Sequence, residues 1–141
     1  MMEAKEYLQE IRDTDEKIDE MMKDCDHLRG MRYKITQNLK PVVSSGGGSH
    51  GGFTNAADSL IDLEREIASE IDRLVDMKRE AGAMLARLRK PKHFKVLHRY
   101  YIQHETFERI AVDMGYTYRN VCYLHGRALQ AFQKVLDERA T

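Results

Sequence analysis

No run of apolar residues in this chain is long enough to cross a bilayer or to act as a secretory signal, so neither a membrane span nor export is expected. Cysteine is scarce. The two present, Cys25 and Cys122, lie far apart without a Cys-x-x-Cys or His-rich spacing near either, and they read as buried or idle thiols rather than metal ligands. Net charge is lacking as well: 23 Lys and Arg balance 23 Asp and Glu, which removes the simplest argument for a polyanionic partner. The stretch SSGGGSHGG, residues 44–52, has no Gly-Lys-Ser/Thr after it and is not a phosphate-binding loop. No nucleophile accompanies a partner base and no cofactor signature occurs, so neither an enzyme nor a cofactor is expected. His93, His98, His104 and His125 match no ligand motif and read as helix-surface histidines, so no metal is expected there. The acids Asp13, Asp15, Asp19, Asp24 and Asp26 come without a glycine-centred ligand loop and read as a solvated helix face. The 141 residues leave room for one or two small domains.

What is present is helical periodicity and an uneven spread of charge. Residues 1–28 are acidic and the chain beyond Lys90 is modestly basic, which fits phosphate contacts by the second part or simply a solvated face. In the first part, Leu8, Ile11, Ile18, Met22 and Cys25 form one stripe, which shifts phase and resumes at Leu28, Ile35 and Leu39 before Pro41 stops the helix. The Gly/Ser segment follows as a linker, about residues 41–56. A second stripe then recurs every seven residues at Leu60, Ile67, Leu74, Ala81 and Leu88, with Leu63, Ile71, Met77, Met84 and Leu85 between them. Sustained heptads of this kind predict a coiled-coil seam, on a helix of roughly 45–50 Å at about 1.5 Å per residue. Two such helices folded back on each other bury little beyond their shared seam. They either associate with another copy or another protein, or pack on the rest of the chain.

Pro91 sets the expected boundary between a helical region, residues 1–90, and a carboxy-terminal domain, residues 91–141. Helices are predicted there at about 92–103, 107–114 and 118–138. Residues 106–127, TFERIAVDMGYTYRNVCYLHGR, have the pattern of a helix-turn-helix. Thr106 is placed to cap the first helix, Gly115 to end it in the left-handed conformation and Thr117 to cap the second. Ala111 is the small residue at the crossing, while Ile110 and Met114 face Val121 and Leu124. That register turns Tyr118, Arg119, Cys122 and Tyr123 outward, where a recognition helix meets base edges. Arg119 suits bidentate contact to guanine; Tyr118 and Tyr123 either contact thymine methyls and phosphates or cover the domain surface. Gly126, inside the last helix, fits either a close approach to a DNA backbone or a seat against a neighbouring helix.

The run at 91–111, PKHFKVLHRYYIQHETFERIA, resembles the opening of region 4 of sigma-70 factors through Val96, Leu97, Arg99, Tyr100, Glu108, Ile110 and Ala111. The likeness continues through Met114, Gly115, Val121, Leu124, Ala128 and Leu129. Together with the opening MEAKEYL and the segment IDLEREIASEIDRLVDMKRE at 61–80, the chain resembles phage and prophage proteins of Gram-positive bacteria, the late transcription regulators of the ArpU and RinA types. The resemblance implies an all-α fold, a long antiparallel helical hairpin followed by a sigma region 4-like helix-turn-helix. It further implies promoter-DNA binding, contact with host RNA polymerase and a place in the bacterial cytoplasm. The implied DNA-binding residues are Thr117, Tyr118, Arg119, Asn120, Cys122, Tyr123 and Arg127, and His125 also lies where a phosphate contact is possible. The family often has an acidic residue where this chain has Arg119, so its target need not be the standard one. The first ninety residues lack the aromatic-rich, basic helices that melt promoters, so the chain is not expected to open DNA alone. A homodimer or higher homo-oligomer through the long helices is expected. Two other classes fit the same pattern: a packaging protein of the small-terminase kind, and an interaction module that never touches DNA.

Overall fold

The computed structural model describes residues 2–38 and 51–140, with side chains described for 2–34 and 55–139. Five α-helices and one π-helical turn account for nearly all of these residues, and no strand occurs among them: α1 (Ala4–Asn38), α2 (Gly51–Leu85), α3 (Pro91–Leu97), the π turn (His98–Ile102), α4 (Phe107–Met114) and α5 (Tyr118–Ala140). The expected linker is shorter at its carboxy-terminal end than the composition implies. Helix α2 starts at Gly51, because glycine costs least in a first turn, where the backbone N–H groups have no intrahelical partner in any case. The rest of the linker, Pro41 and the stripe position Leu39 lie outside the described residues, as does the side chain of Ile35.

The chain divides into two compact units, Glu16–Asp72 on the one hand and Met1–Asp15 with Arg73–Thr141 on the other. In the first unit, Cys25, Leu60 and Ile67 are buried together, flanked by Met21, Leu28 and Leu63. Ion pairs Lys17–Glu70 at 3.6 Å and Arg29–Glu64 at 3.2 Å border this seam, an early residue of one helix meeting a late residue of the other, so the two segments run antiparallel. Met22, expected inside, is 49% exposed. The inward positions advance by heptads, Ile18 to Cys25 and Met21 to Leu28, and Met22 falls one residue, about 100° of helix, off that line.

In the second unit the start of α1 lies antiparallel to the end of α2. Glu10 pairs with Arg73 at 2.7 Å, Asp15 with Lys78 at 3.1 Å, and the Tyr7 hydroxyl reaches Met84 Sδ at 3.5 Å. Thr14 is buried, and its hydroxyl donates to the Glu10 carbonyl oxygen at 2.8 Å, which satisfies it within its own helix. Leu74, Ala81, Met84 and Leu85 are buried in this unit. The next heptad position, Leu88, falls beyond the helix end, in the turn that delivers the chain to Pro91. Lys90, which precedes that proline, is extended at φ −91° and ψ 120°, as the proline ring demands of its neighbour.

The single helix expected at 92–103 starts at Pro91 and widens at His98 into a π turn, closed by Gln103 N–H donating to the His98 carbonyl at 3.0 Å. A π turn takes in an extra residue. Two adjacent tyrosines thereby turn inward, Tyr101 fully buried and Tyr100 packed on the core of Val96, Ile110, Ala111 and Val121. Leu97, Ala128, Phe132 and Val135 are also buried in this unit.

Candidate nucleic-acid interface

The α4–α5 corner is held by local chemistry at three points. The Thr106 hydroxyl oxygen accepts from Arg109 N–H at 3.1 Å and so caps α4. Gly115 ends α4 in the left-handed conformation, φ 70° and ψ 30°. The Tyr116 N–H donates back to the Ala111 carbonyl at 2.9 Å and the Gly115 N–H to that of Val112 at 3.3 Å, the paired bonds that close a helix end. The Thr117 hydroxyl oxygen then accepts from Asn120 N–H at 3.1 Å and starts α5. Behind the corner, Ala111 is buried with Ile110 and Val121, and Met114 and Leu124 pack against that core. The small side chain at 111 is what lets α4 and α5 cross closely.

Most of the candidate residues project from the start of α5. Thr117, Arg119, Asn120 and Arg127 are exposed, Tyr118 is 51% exposed and Tyr123 63%. Cys122 is half-buried beside Tyr118, and the Tyr118 phenol pKa is raised chiefly by a hydrogen bond with the Cys122 thiol. Tyr118 also leans edge-on to Phe107 of α4, with centroids 6.3 Å apart. The Arg127 guanidinium lies over the Tyr123 ring at 5.6 Å, a loose cation–π contact that keeps both groups on one side of α5. Thr117 has an oxygen committed to its cap. Arg119, Tyr123 and Gly126 fall within about 60° of one another around the helix at about 100° per residue. No atom comes within 4 Å of a Cβ built on Gly126, so the alternative of a seat against a neighbouring helix does not hold among the described residues.

His125 belongs to the interior rather than to this face. Its Nε2 lies 2.7 Å from the Tyr101 hydroxyl, and its ring meets those of Tyr100 and Phe107 at 5.6 and 5.0 Å. Burial, with a smaller contribution from the Lys5 charge, lowers its pKa to about 4. The imidazole is therefore neutral at physiological pH and offers no charge to a phosphate. It turns inward because it follows Val121 by one helical turn.

Helix α1 supports the corner from behind. Arg12 Nη1 donates to the carbonyls of Tyr100 at 2.8 Å and Glu105 at 3.1 Å, and its guanidinium stacks 4.0 Å above the Tyr100 ring. It thus caps carbonyls left open where the π turn ends. At the far end of α5, Gln133 accepts from Ala4 N–H at 2.7 Å, Arg87 pairs with Glu138 at 3.3 Å, and Arg139 pairs with Glu80.

Among the described residues no three His, Cys, Asp or Glu side chains gather as a metal site, and no helix is long and apolar enough to cross a membrane. Lys92 belongs to the basic excess beyond Lys90, but the whole cluster of cations at residues 87–92, RLRKPK, is not evident as a site from sequence alone; it lines a groove with Arg127 and Lys134. Their density in six residues was the available signal. No protein-family model, curated protein or solved structure matches the chain.

Proposed function

We propose that the chain is a transcription regulator of the phage and prophage late-gene type, and that α4 and α5 form a sigma region 4-like helix-turn-helix that reads promoter DNA. The observation that carries this reading is the exposed set Tyr118, Arg119, Asn120 and Tyr123 at the start of α5, standing on a doubly capped, well-packed corner. An exposed arginine in the first turn of a recognition helix is placed for guanine, and tyrosines beside it for methyl groups and phosphates. Contact with host RNA polymerase and residence in a bacterial cytoplasm follow from the sequence resemblance.

Self-association is part of the same proposal. In the unit of residues 16–72, Met22, Met31, Tyr33, Ile61 and Ile71 are all exposed, apolar surface that the seam itself does not cover. A homodimer or higher homo-oligomer would cover it.

The test is selection of bound duplexes from a random-sequence pool by the full chain at near-physiological salt, with Arg119→Ala as control. A defined motif that the variant loses is the expected result, with paired half-sites if the chain dimerises. Binding without enrichment would transfer the assignment to DNA packaging. Absence of binding would transfer it to a protein partner.

A further inference from the structure

Beside the outward face of α5, between that helix and the α2–α3 connection, runs an open groove of about 1390 Å³. Arg89, Lys90 and Lys92 stand on one wall and Arg127 and Lys134 on the other. All five are exposed. The carboxylate among the lining residues, Glu138, is engaged by Arg87 at 3.3 Å. Arg89, Lys90 and Lys134 have no ion-pair partner among the described residues. His93 lies between the walls, its pKa lowered first by burial and then by the charges of Lys90 and Arg127, so cations from both sides converge on one trough.

The chain as a whole carries no net charge, which makes this concentration a local feature rather than a consequence of composition. A small anion would be held by buried, hydrogen-bonded donors. Exposed cations strung along both walls instead match a polymeric anion that enters and leaves the trough. The groove is continuous with the face described above, because Tyr123 and Arg127 border both. Lys92 reaches the α4–α5 turn, its Nζ lying 5.6 Å from the Tyr116 ring centroid. Tyr123 to Lys134 covers about 16 Å of helix at about 1.5 Å per residue, long enough to face more than one phosphate.

We propose that this groove seats the sugar-phosphate backbone of the DNA whose bases meet Arg119 and Tyr123. The proposal rests on the DNA-reading assignment of α5 and adds to it a second wall, drawn from the connection that precedes the helix-turn-helix. Base contacts then set the sequence, and Arg89, Lys90, Lys92, Arg127 and Lys134 set register and the greater share of affinity.

The test compares the full native chain, the triple variant Arg89→Gln/Lys90→Gln/Lys92→Gln and Arg119→Ala by fluorescence anisotropy. One selected and one scrambled duplex are titrated across about 50–300 mM salt, with circular dichroism confirming equal helix content. Each phosphate contact contributes about 0.9 to the slope of log affinity against log salt. The triple variant is expected to flatten that slope by about 2–3, to weaken both duplexes on the order of 100-fold at near-physiological salt, and to keep their ranking. Arg119→Ala is expected to lose the ranking while changing the slope by about 1 or less. An unchanged slope in the triple variant, with Arg119→Ala still losing discrimination, would overturn the groove alone and leave base reading intact. Failure of the native chain to bind either duplex would overturn both, and an acidic protein surface would become the groove's occupant.

Discussion

Replacing Arg12 with methionine keeps most of its apolar stem and removes the guanidinium that binds the Tyr100 and Glu105 carbonyls and stacks on Tyr100. A hydrogen bond from a charged donor contributes about 1.5–3 kcal/mol net, toward the lower figure where water can replace it. Both carbonyls are half-buried, so at the lower figure the two bonds together are worth about 3 kcal/mol. The stacking adds about 0.5–1 kcal/mol. A loss of about 3.5–4 kcal/mol lowers the melting temperature by roughly 12 °C for a chain of this size. Thermal melts followed at 222 nm, together with the tyrosine near-ultraviolet signal, provide the assay. Arg12→Lys, which keeps charge but not the fork, should fall between the two. A loss below about 0.5 kcal/mol in Arg12→Met would refute the view that α1 holds the π turn in place.

Other outcomes follow from the same geometry. Because the folded-state pKa of His125 is lowered to about 4 from 6.5, the unfolded chain takes up that proton first as pH falls. Its contribution is therefore complete above about pH 6.5 and is lost progressively down to about pH 4. Denaturant melts should show stability falling more steeply between about pH 7 and 5 in the native chain than in His125→Gln, and equal slopes would contradict the burial argument. Gly115→Ala places a side chain at φ 70° and should cost about 1 kcal/mol, with Gly115→Asn costing less; urea midpoints decide. Thr117→Ala should cost about 1 kcal/mol through loss of the α5 cap, measured in the same way. Gly126→Ala meets open space and should stabilise the fold by about 0.5–1 kcal/mol, while weakening DNA binding if a phosphate passes close to that face; a stabilised variant with unchanged affinity would remove Gly126 from the interface.

The corner was readable in the sequence because its determinants are local. Thr106, Gly115 and Thr117 act on backbone groups within five residues of themselves, and α4 and α5 occupy the expected segments to within two residues. The heptad line of α2 was equally plain through Leu60, Ile67, Leu74 and Ala81, all buried. Phase was harder: Met21 and Met22 are chemically identical, and only the partner helix decides which faces inward. The π turn left no mark, since it arises from packing two neighbouring tyrosines rather than from propensity. Arg12 was invisible for another reason, its acceptors lying 88 and 93 residues away. The groove likewise required the α2–α3 connection to be folded against α5, although its cations stood in plain view as RLRKPK.

The carboxy-terminal helices share a compact unit with residues 1–15, and this has a practical consequence for dissecting the molecule. A fragment beginning at Pro91 looks like a self-sufficient module, yet it would lack Arg12, the Ala4 N–H that meets Gln133, and Glu80 for Arg139. Trimming the amino terminus past Arg12 would remove the first two of these supports from the carboxy-terminal helices while leaving the outward face of α5 itself unaltered in sequence. The compact unit that holds α3, α4 and α5 is thus assembled from both ends of the chain, residues 1–15 and 73–141.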